Sequence, residues 1–316
     1  MMSITDHHPH KPVLLEETVS HLMTKHDGIY LDCTIGFGGH SSRILEKLNE
    51  KGRLIGIDYD PYALKYTKNK LSEFKKEHSL FLSNYNDIKA ILFSLQIREV
   101  DGILFDLGIS SYQVDSGYKG LSYKKDSNLN MQLGLDKNFT LRDLLHNSSE
   151  KEIADIIYYY SEEKSSRKIA RSIVSFIKKD KMETNRDLVD AINEVIPKKF
   201  INETLSRVFQ SFRIKVNNEL ENLVDSIVEA IYLLKPGGRL AVITFHSIED
   251  RIIKNILKDF SREKEYNLQN MGYKISHECK KIMKVITKKP IAPTWEEVKS
   301  NRRSRSAKLR VAERLL

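Results

Sequence analysis

The sequence predicts an α/β protein with a mostly parallel sheet, interrupted by an inserted helical domain. Three observations lead there. Short apolar runs alternate with helical stretches through the first third of the chain. From Thr140 to about Phe212 the periodicity is helical only. The alternation then resumes near Asn217. Strands and helices that alternate at this spacing imply parallel pairing with right-handed crossovers. A chain of 316 residues is long enough for about two domains. The expected division is one α/β domain from 1–112 and 217–316, with 113–216 as the inserted, substrate-recognising helical domain.

Gly28–Cys33 reads as a short buried strand, Gly36–His40 as a turn and Ser41–Leu48 as a helix with Ile44, Leu45 and Leu48 on one face. Arg53–Asp58 is the second strand, and Pro61 stands near the start of the next helix. Leu80–Leu82 and Gly102–Asp106 are the third and fourth strands. Gly108–Leu135 is rich in Gly, Ser, Tyr and Asn and reads as a long loop. Thr140 and Asp143 have capping-box spacing. Ile169, Ile173, Phe176 and Ile177 form an apolar stripe. Of Tyr158, Tyr159 and Tyr160, at least one is expected in a core. Leu220, Leu223, Val224, Ile227, Ile231 and Leu234 line one helix face, and Pro236-Gly237-Gly238 should end that helix. Arg239–Phe245 is a fifth strand, followed by Ser247 and Asp250 at capping-box spacing. Lys284–Thr287 and Ala307–Val311 are late strands.

Composition narrows the function classes. Hydrophobic residues make up 40% and charged residues 30%, which excludes a disordered or fibrous chain. No apolar run approaches the roughly 20 residues of a membrane helix. Met1–His10 lacks the apolar stretch of a secretory signal. Cys33 and Cys279 form no C-x-x-C pair, which argues against a disulfide framework or thiolate zinc site and for a reducing, cytoplasmic location. His7, His8 and His10 read as a terminal segment, and no metal is expected. The net charge is +9. From Lys280 onward, twelve Lys and Arg face three Glu, an excess equal to that of the whole chain. Arg302, Arg303 and Arg305 are the densest part of this basic tail, suited to displacing counterions from nucleic acid.

The turn after the first strand carries the chemistry. Glycines between a strand and a helix let a ligand approach the backbone N–H groups of the helix start. Gly36, Gly38 and Gly39 fit that, and Asp58 follows at the distance of a ribose-binding acid. Ser41 stands where a dinucleotide fingerprint has its third glycine. An adenosine without phosphates, as in S-adenosylmethionine, therefore fits at least as well. Asp32, Asp58 and Asp106 all close strands.

Several longer runs, taken in order, resemble the bacterial small-subunit (16S) ribosomal RNA N4-cytosine methyltransferase family. They are His10–Leu15, Asp32–Ser41, Asp106–Ser111, Arg207–Gln210, Arg213–Leu220, Gly237–Ser247 and Arg305–Arg310. The resemblance implies a class I S-adenosylmethionine-dependent, Rossmann-like sheet with a helical insertion. It implies a cytidine near the decoding site as substrate, either in free RNA or in the assembled small subunit, and leaves a homodimer open. The implied cofactor residues are Gly38, Gly39, His40, Asp58, Tyr85, Asp106 and Gln113, with Asn84 the neighbour of the adenine contact Tyr85. The chain departs from the family at Tyr112, Asn130, Gln132 and Asn301–Arg303, which takes two charges from the loop between Tyr118 and Leu135.

Amine methylation needs acceptors for the amine hydrogens and an in-line approach. Asp106, with the carbonyls near Leu107 and Gly108, is the candidate catalytic acceptor, the alternative being that Asp106 serves the cofactor only. Cys33 is expected in the core, and His246 orients a strand end. The rival readings are a nucleotide-cofactor oxidoreductase and a non-catalytic RNA-binding protein on the same fold.

Overall fold

The computed structural model describes residues 11–108, 118–133, 139–262, 264–267, 276–279 and 281–315. For Tyr118, 264–267 and 276–279 it describes the backbone alone. The chain forms two compact units, residues 1–108 with 221–316, and residues 109–220.

The first unit begins with helix α1 (Leu15–Leu22), which the sequence pattern does not predict, followed by β1 (Ile29–Asp32), α2 (Gly39–Lys47) and β2 (Arg53–Asp58). Next come α3 (Pro61–Leu71), β3 (Glu77–Leu82), a short turn (Tyr85–Asp87), α4 (Ile88–Ser94) and β4 (Val100–Asp106). Pro61 is the first residue of α3, and Asp60 caps it by accepting from the Tyr62 amide. A proline there loses no helical hydrogen bond.

The second unit holds α5 (Leu141–Asn147), α6 (Glu150–Ser161), α7 (Ser166–Ile177), α8 (Asn185–Asn193) and α9 (Ile201–Asn217). Thr140 and Asp143 form the expected capping box. In α7, Ile169 and Ile173 are buried. The tyrosines correct the expectation: Tyr158 and Tyr159 are exposed and Tyr160 is only half-buried. Ile153, Ala154, Ile156 and Ile157 already fill the buried face of α6. Asn130 and Gln132 also serve this unit's own structure. The Asn130 side chain accepts from the Gln132 amide, and Gln132 donates to the Phe139 carbonyl.

The chain returns through α10 (Glu219–Tyr232) to β5 (Leu234–Thr244), α11 (Ser247–Asp259), a hairpin of β6 (Lys264–Asn267) and β7 (Ser276–Cys279), β8 (Met283–Val285), α12 (Trp295–Ser300), a 3-10 turn (Arg302–Ser306) and β9 (Lys308–Arg314). Pro236–Gly238 does not end α10 as expected. It lies within β5, where pairing with β4 jumps from Val100–Leu234 to Gly102–Arg239 and Gly237 adopts φ 78. Proline disfavours helical backbone in the residue before it, so the helix stops earlier and the glycines form a bulge. The cap of α11 is also shifted by one residue. His246, not Ser247, is the cap, and Glu249 is its partner. Asp250 instead pairs with Lys308 and Arg310, at 3.0 and 2.6 Å.

The seven-stranded sheet runs β3-β2-β1-β4-β5-β9-β8. The first five strands are parallel, while β9 and β8 pair antiparallel. This is the Rossmann-like arrangement, with β1 and β4 central. Ala307, Leu309 and Val311 join the core cluster together with Leu22, Tyr30, Ile44, Leu54 and Leu104. The basic tail is therefore in part structural. Its final stretch is an interior strand, and Arg310 is buried on Asp250.

Candidate active site

Three carboxylates stand at the carboxyl ends of the central parallel strands: Asp32 on β1, Asp58 on β2 and Asp106 on β4. This edge is where open α/β sheets hold their ligands. The turn after β1 is stitched to its neighbours. The Cys33 amide donates to Leu104 and the Ile35 amide to Ile57. Asp58 accepts from the Gly36 amide at 2.7 Å and from the Asp60 amide at 2.9 Å. Asp32 accepts from the Ser41 hydroxyl at 2.7 Å and from the Thr34 amide at 3.2 Å. Ser41 is thus the link between α2 and the end of β1. Nothing in the sequence pattern signals this, because the partner depends on how the helix lies over the strand.

The glycines divide by cause. Gly38 sits at φ 71, and a Cβ there would lie 2.8 Å from Thr67. A Cβ on Gly39 would lie 2.9 Å from Pro12. The protein's own packing requires both. Gly36, at φ 50, faces open space, with nothing nearer to its Cβ position than the Thr34 carbonyl at 3.8 Å. Helix α2 starts at Gly39, and the first amides of a helix have no acceptor inside it.

His40 is buried. Its Nε2 lies 3.0 Å from the Val13 carbonyl and its Nδ1 3.5 Å from Asp106 Oδ2. A carbonyl only accepts, so Nε2 carries the proton of the neutral ring and Nδ1 turns its lone pair toward Asp106. A proton between the two is held by one or the other. The backbone of Asp106 is fixed by its amide, which donates to Thr34 Oγ1 at 2.6 Å. Asp106 Oδ1 is buried and has no hydrogen-bond partner among the described residues.

The electrostatics follow chiefly from burial. Burial pushes Asp32 up to about 6 despite its bonds from Ser41 and Thr34. Burial likewise pushes Asp58 up to about 6, against the pull of the Asp60 and Gly36 amides. Burial, then the charges of Asp32 and Glu249, pushes Asp106 well above the ordinary carboxylate range. Groups with values displaced this way cluster at functional sites.

Tyr85 opens the turn after β3, half-buried, with its ring 5.9 Å from the buried Phe105 ring and edge-on to it. Asn84 is the cap of that turn, accepting from the Asn86 amide. Cys33 is buried, and burial, with Asp32 beside it, raises its thiol well above the ordinary value. Gln113, Tyr112, His7, His8 and His10 lie outside the described residues. Among the described residues no group of three His, Cys, Asp or Glu could hold a metal ion. No helix among them is long and apolar enough to cross a membrane.

Comparison with known proteins shows the family. The family profile described as the MraW methylase family matches residues 7–315. Ribosomal RNA small subunit methyltransferase H of Brevibacillus brevis is 44% identical over 313 residues, which cover 97% of this chain and 98% of its own length. The protein of the same name from Fusobacterium nucleatum is 41% identical over 306 residues, covering 97% of each. That from Caldicellulosiruptor saccharolyticus is 44% identical over 313 residues, covering 97% and 99%.

Proposed function

The chain belongs to the MraW methylase family, and on that premise we propose that it methylates the exocyclic N4 amine of a cytidine near the decoding site of small-subunit (16S) ribosomal RNA. It is an S-adenosylmethionine-dependent methyltransferase, which sets the oxidoreductase reading aside. The observation that carries the reading is the buried Oδ1 of Asp106 at the carboxyl end of β4, which has no hydrogen-bond partner among the described residues.

The residues present fit S-adenosylmethionine. The space at Gly36 is open, Asp58 is an acid at the end of β2, and Tyr85 supplies an aromatic face after β3. Asp58 would hold the ribose hydroxyls, Tyr85 the adenine, and the Gly38-Gly39-His40 turn the amino-acid end. When bound, S-adenosylmethionine supplies a methyl group activated by its sulfonium.

The cytosine amine is a poor nucleophile because its lone pair is delocalised into the ring. An acceptor for its hydrogens favours the pyramidal nitrogen that attack requires. Asp106 Oδ1 offers that acceptor, and preorganised polar groups of this kind are among the strongest catalytic contributors. As the N–C bond forms, the amine gives up a proton. Asp106 takes it, with His40 Nδ1 behind as the next acceptor. Methylation at carbon 5 would instead need an accessible thiolate, and Cys33 is buried with its thiol value raised.

Mass spectrometry of digested RNA from free 16S ribosomal RNA and from small subunits tests this. The expected product is N4-methylcytidine, formed also by a folded chain carrying both Cys33→Ser and Cys279→Ser. A 5-methylcytidine product would overturn it. The helical unit is the proposed substrate-recognition element, because the chain enters it three residues after Asp106. Replacing residues 140–200 by a short linker should spare cofactor binding in calorimetry and abolish site-specific methylation. Retained specificity would remove that role.

A further inference from the structure

On the first unit, Trp295, Val298 and Lys299 of α12 and Arg302 and Arg305 of the following turn line a groove of about 560 Å3. Trp295 is 70% exposed, unusual for so large an apolar residue. Lys299 Nζ stands 5.1 Å from its ring centroid. Arg302 and Arg305 are exposed, and among the described residues no carboxylate pairs with Lys299, Arg302 or Arg305. Glu297 on the same helix is turned away, accepting from the Leu14 amide at 2.9 Å. The groove therefore joins an exposed aromatic ring, with Lys299 over one face, to three cations.

A short strap ties this groove to the glycine turn. Lys11 Nζ donates to Ser300 Oγ at 2.9 Å, and Asn301 donates to the Lys11 carbonyl at 3.1 Å. Pro12 packs on Gly39. The Val13 carbonyl is held by His40, and the Leu14 amide by Glu297. Four consecutive residues thus connect α12 to the residues beside Asp106.

We infer that the groove binds an unpaired nucleotide of the substrate RNA that flanks the target cytidine, with its base stacked on Trp295 and its phosphates on Arg302, Arg305 and Lys299. Every base has a π-face, and a stacking platform beside basic side chains is how single strands are held without sequence reading. An acidic peptide would satisfy the cations and leave the indole bare. A duplex would hide its base faces from it. The inference rests on the RNA methylation reading above, but its test does not.

Trp295 is the only tryptophan in the chain, so its fluorescence reports directly on the groove. The full chain is titrated with a single-stranded oligoribonucleotide from the decoding region and with the same RNA as a duplex. The single strand should quench Trp295, and the duplex should not. Trp295→Ala should weaken single-strand binding on the order of tenfold, with Trp295→Phe recovering much of it. Joint Arg302→Gln and Arg305→Gln should lower the salt slope by about 0.7 for each phosphate left without its arginine. Both variants should raise KM for RNA and leave S-adenosylmethionine affinity as it is. RNA that binds without changing the fluorescence would overturn the inference, as would an unchanged KM in both variants or quenching by stripped ribosomal proteins alone. None of these touches the methylation reading. Absence of methylation by the unaltered chain would overturn that reading, and the titration would still decide the groove.

Discussion

Asp101 and Asp106 stand at opposite ends of strand β4, both carboxylates in a largely apolar sheet, and their surroundings are opposite. Asp101 is met by Lys25 at 3.2 Å, Lys235 at 2.6 Å and the Ile29 amide at 2.9 Å. Burial pushes it up, but Lys235, the Ile29 amide and Lys25 outweigh that and hold it below the ordinary range. Asp106 has His40 at 3.5 Å, the acids Asp32 and Glu249 in its field, and one oxygen with no partner among the described residues. At the amino end of β4, charge is matched so that the fold holds. At the carboxyl end, charge is left uncompensated, at a cost to the free protein that a cationic ligand would offset.

The largest expected effect separates the two ends directly. Asp106→Asn should cut methylation by about 100-fold or more, while thermal unfolding shows stability unchanged or raised, since a buried charge is gone. Near-normal turnover would mean Asp106 serves packing alone. Asp101→Ala should do the reverse. It strands the Ile29 amide and costs about 1–3 kcal/mol in denaturant titrations, with methylation per folded molecule preserved. Lys25 and Lys235 are partly exposed, so they turn to water and the full penalty of a stranded buried charge does not arise.

Acidity gives a smaller and sharper comparison. Asp32 and Asp58 have folded values of about 6 against 3.8 unfolded. The stability they contribute is fully present below about 3.8 and is lost as pH rises through about 6. The free protein should therefore gain up to about 1.4 kcal/mol per pH unit for each carboxylate as pH falls across that window. Asp101 and Asp250 are held below 3.8. Their contribution is present above 3.8 and lost as pH falls through their lowered values, so stability should turn down only there. Affinity for S-adenosylmethionine should move the other way, weakening up to about tenfold per pH unit below about 6 as Asp58 takes a proton. A free protein that loses stability steadily from neutral pH to 5 would show that ion pairs dominate both edges of the sheet.

Much of the frame was legible because it depends on neighbours in sequence. The runs at Arg53–Asp58 and Gly102–Asp106, Pro61 at the head of α3 and the Thr140 capping box all follow from local pattern. What failed locally was decided by contacts over distance. The cap of α11 moved to His246 because Asp250 is drawn to Lys308 and Arg310. The tyrosines of α6 stayed outside because isoleucines fill its inner face. The basic end of the chain became an antiparallel strand beside β5, where its apolar alternation is buried.

For the site, the sequence by itself determined the residue types and the strand ends: glycines in the first turn, and acids closing β1, β2 and β4. These are set by local chain geometry and by which side chains close a buried run. Only the tertiary structure decided their roles. It set Ser41 against Asp32, gave Gly38 and Gly39 to Thr67 and Pro12, turned His40 between Val13 and Asp106, and left one oxygen of Asp106 without a partner among the described residues. Spacing along a chain carries periodicity, but hydrogen-bond partners and desolvation belong to the three-dimensional neighbourhood, where residues far apart in sequence meet.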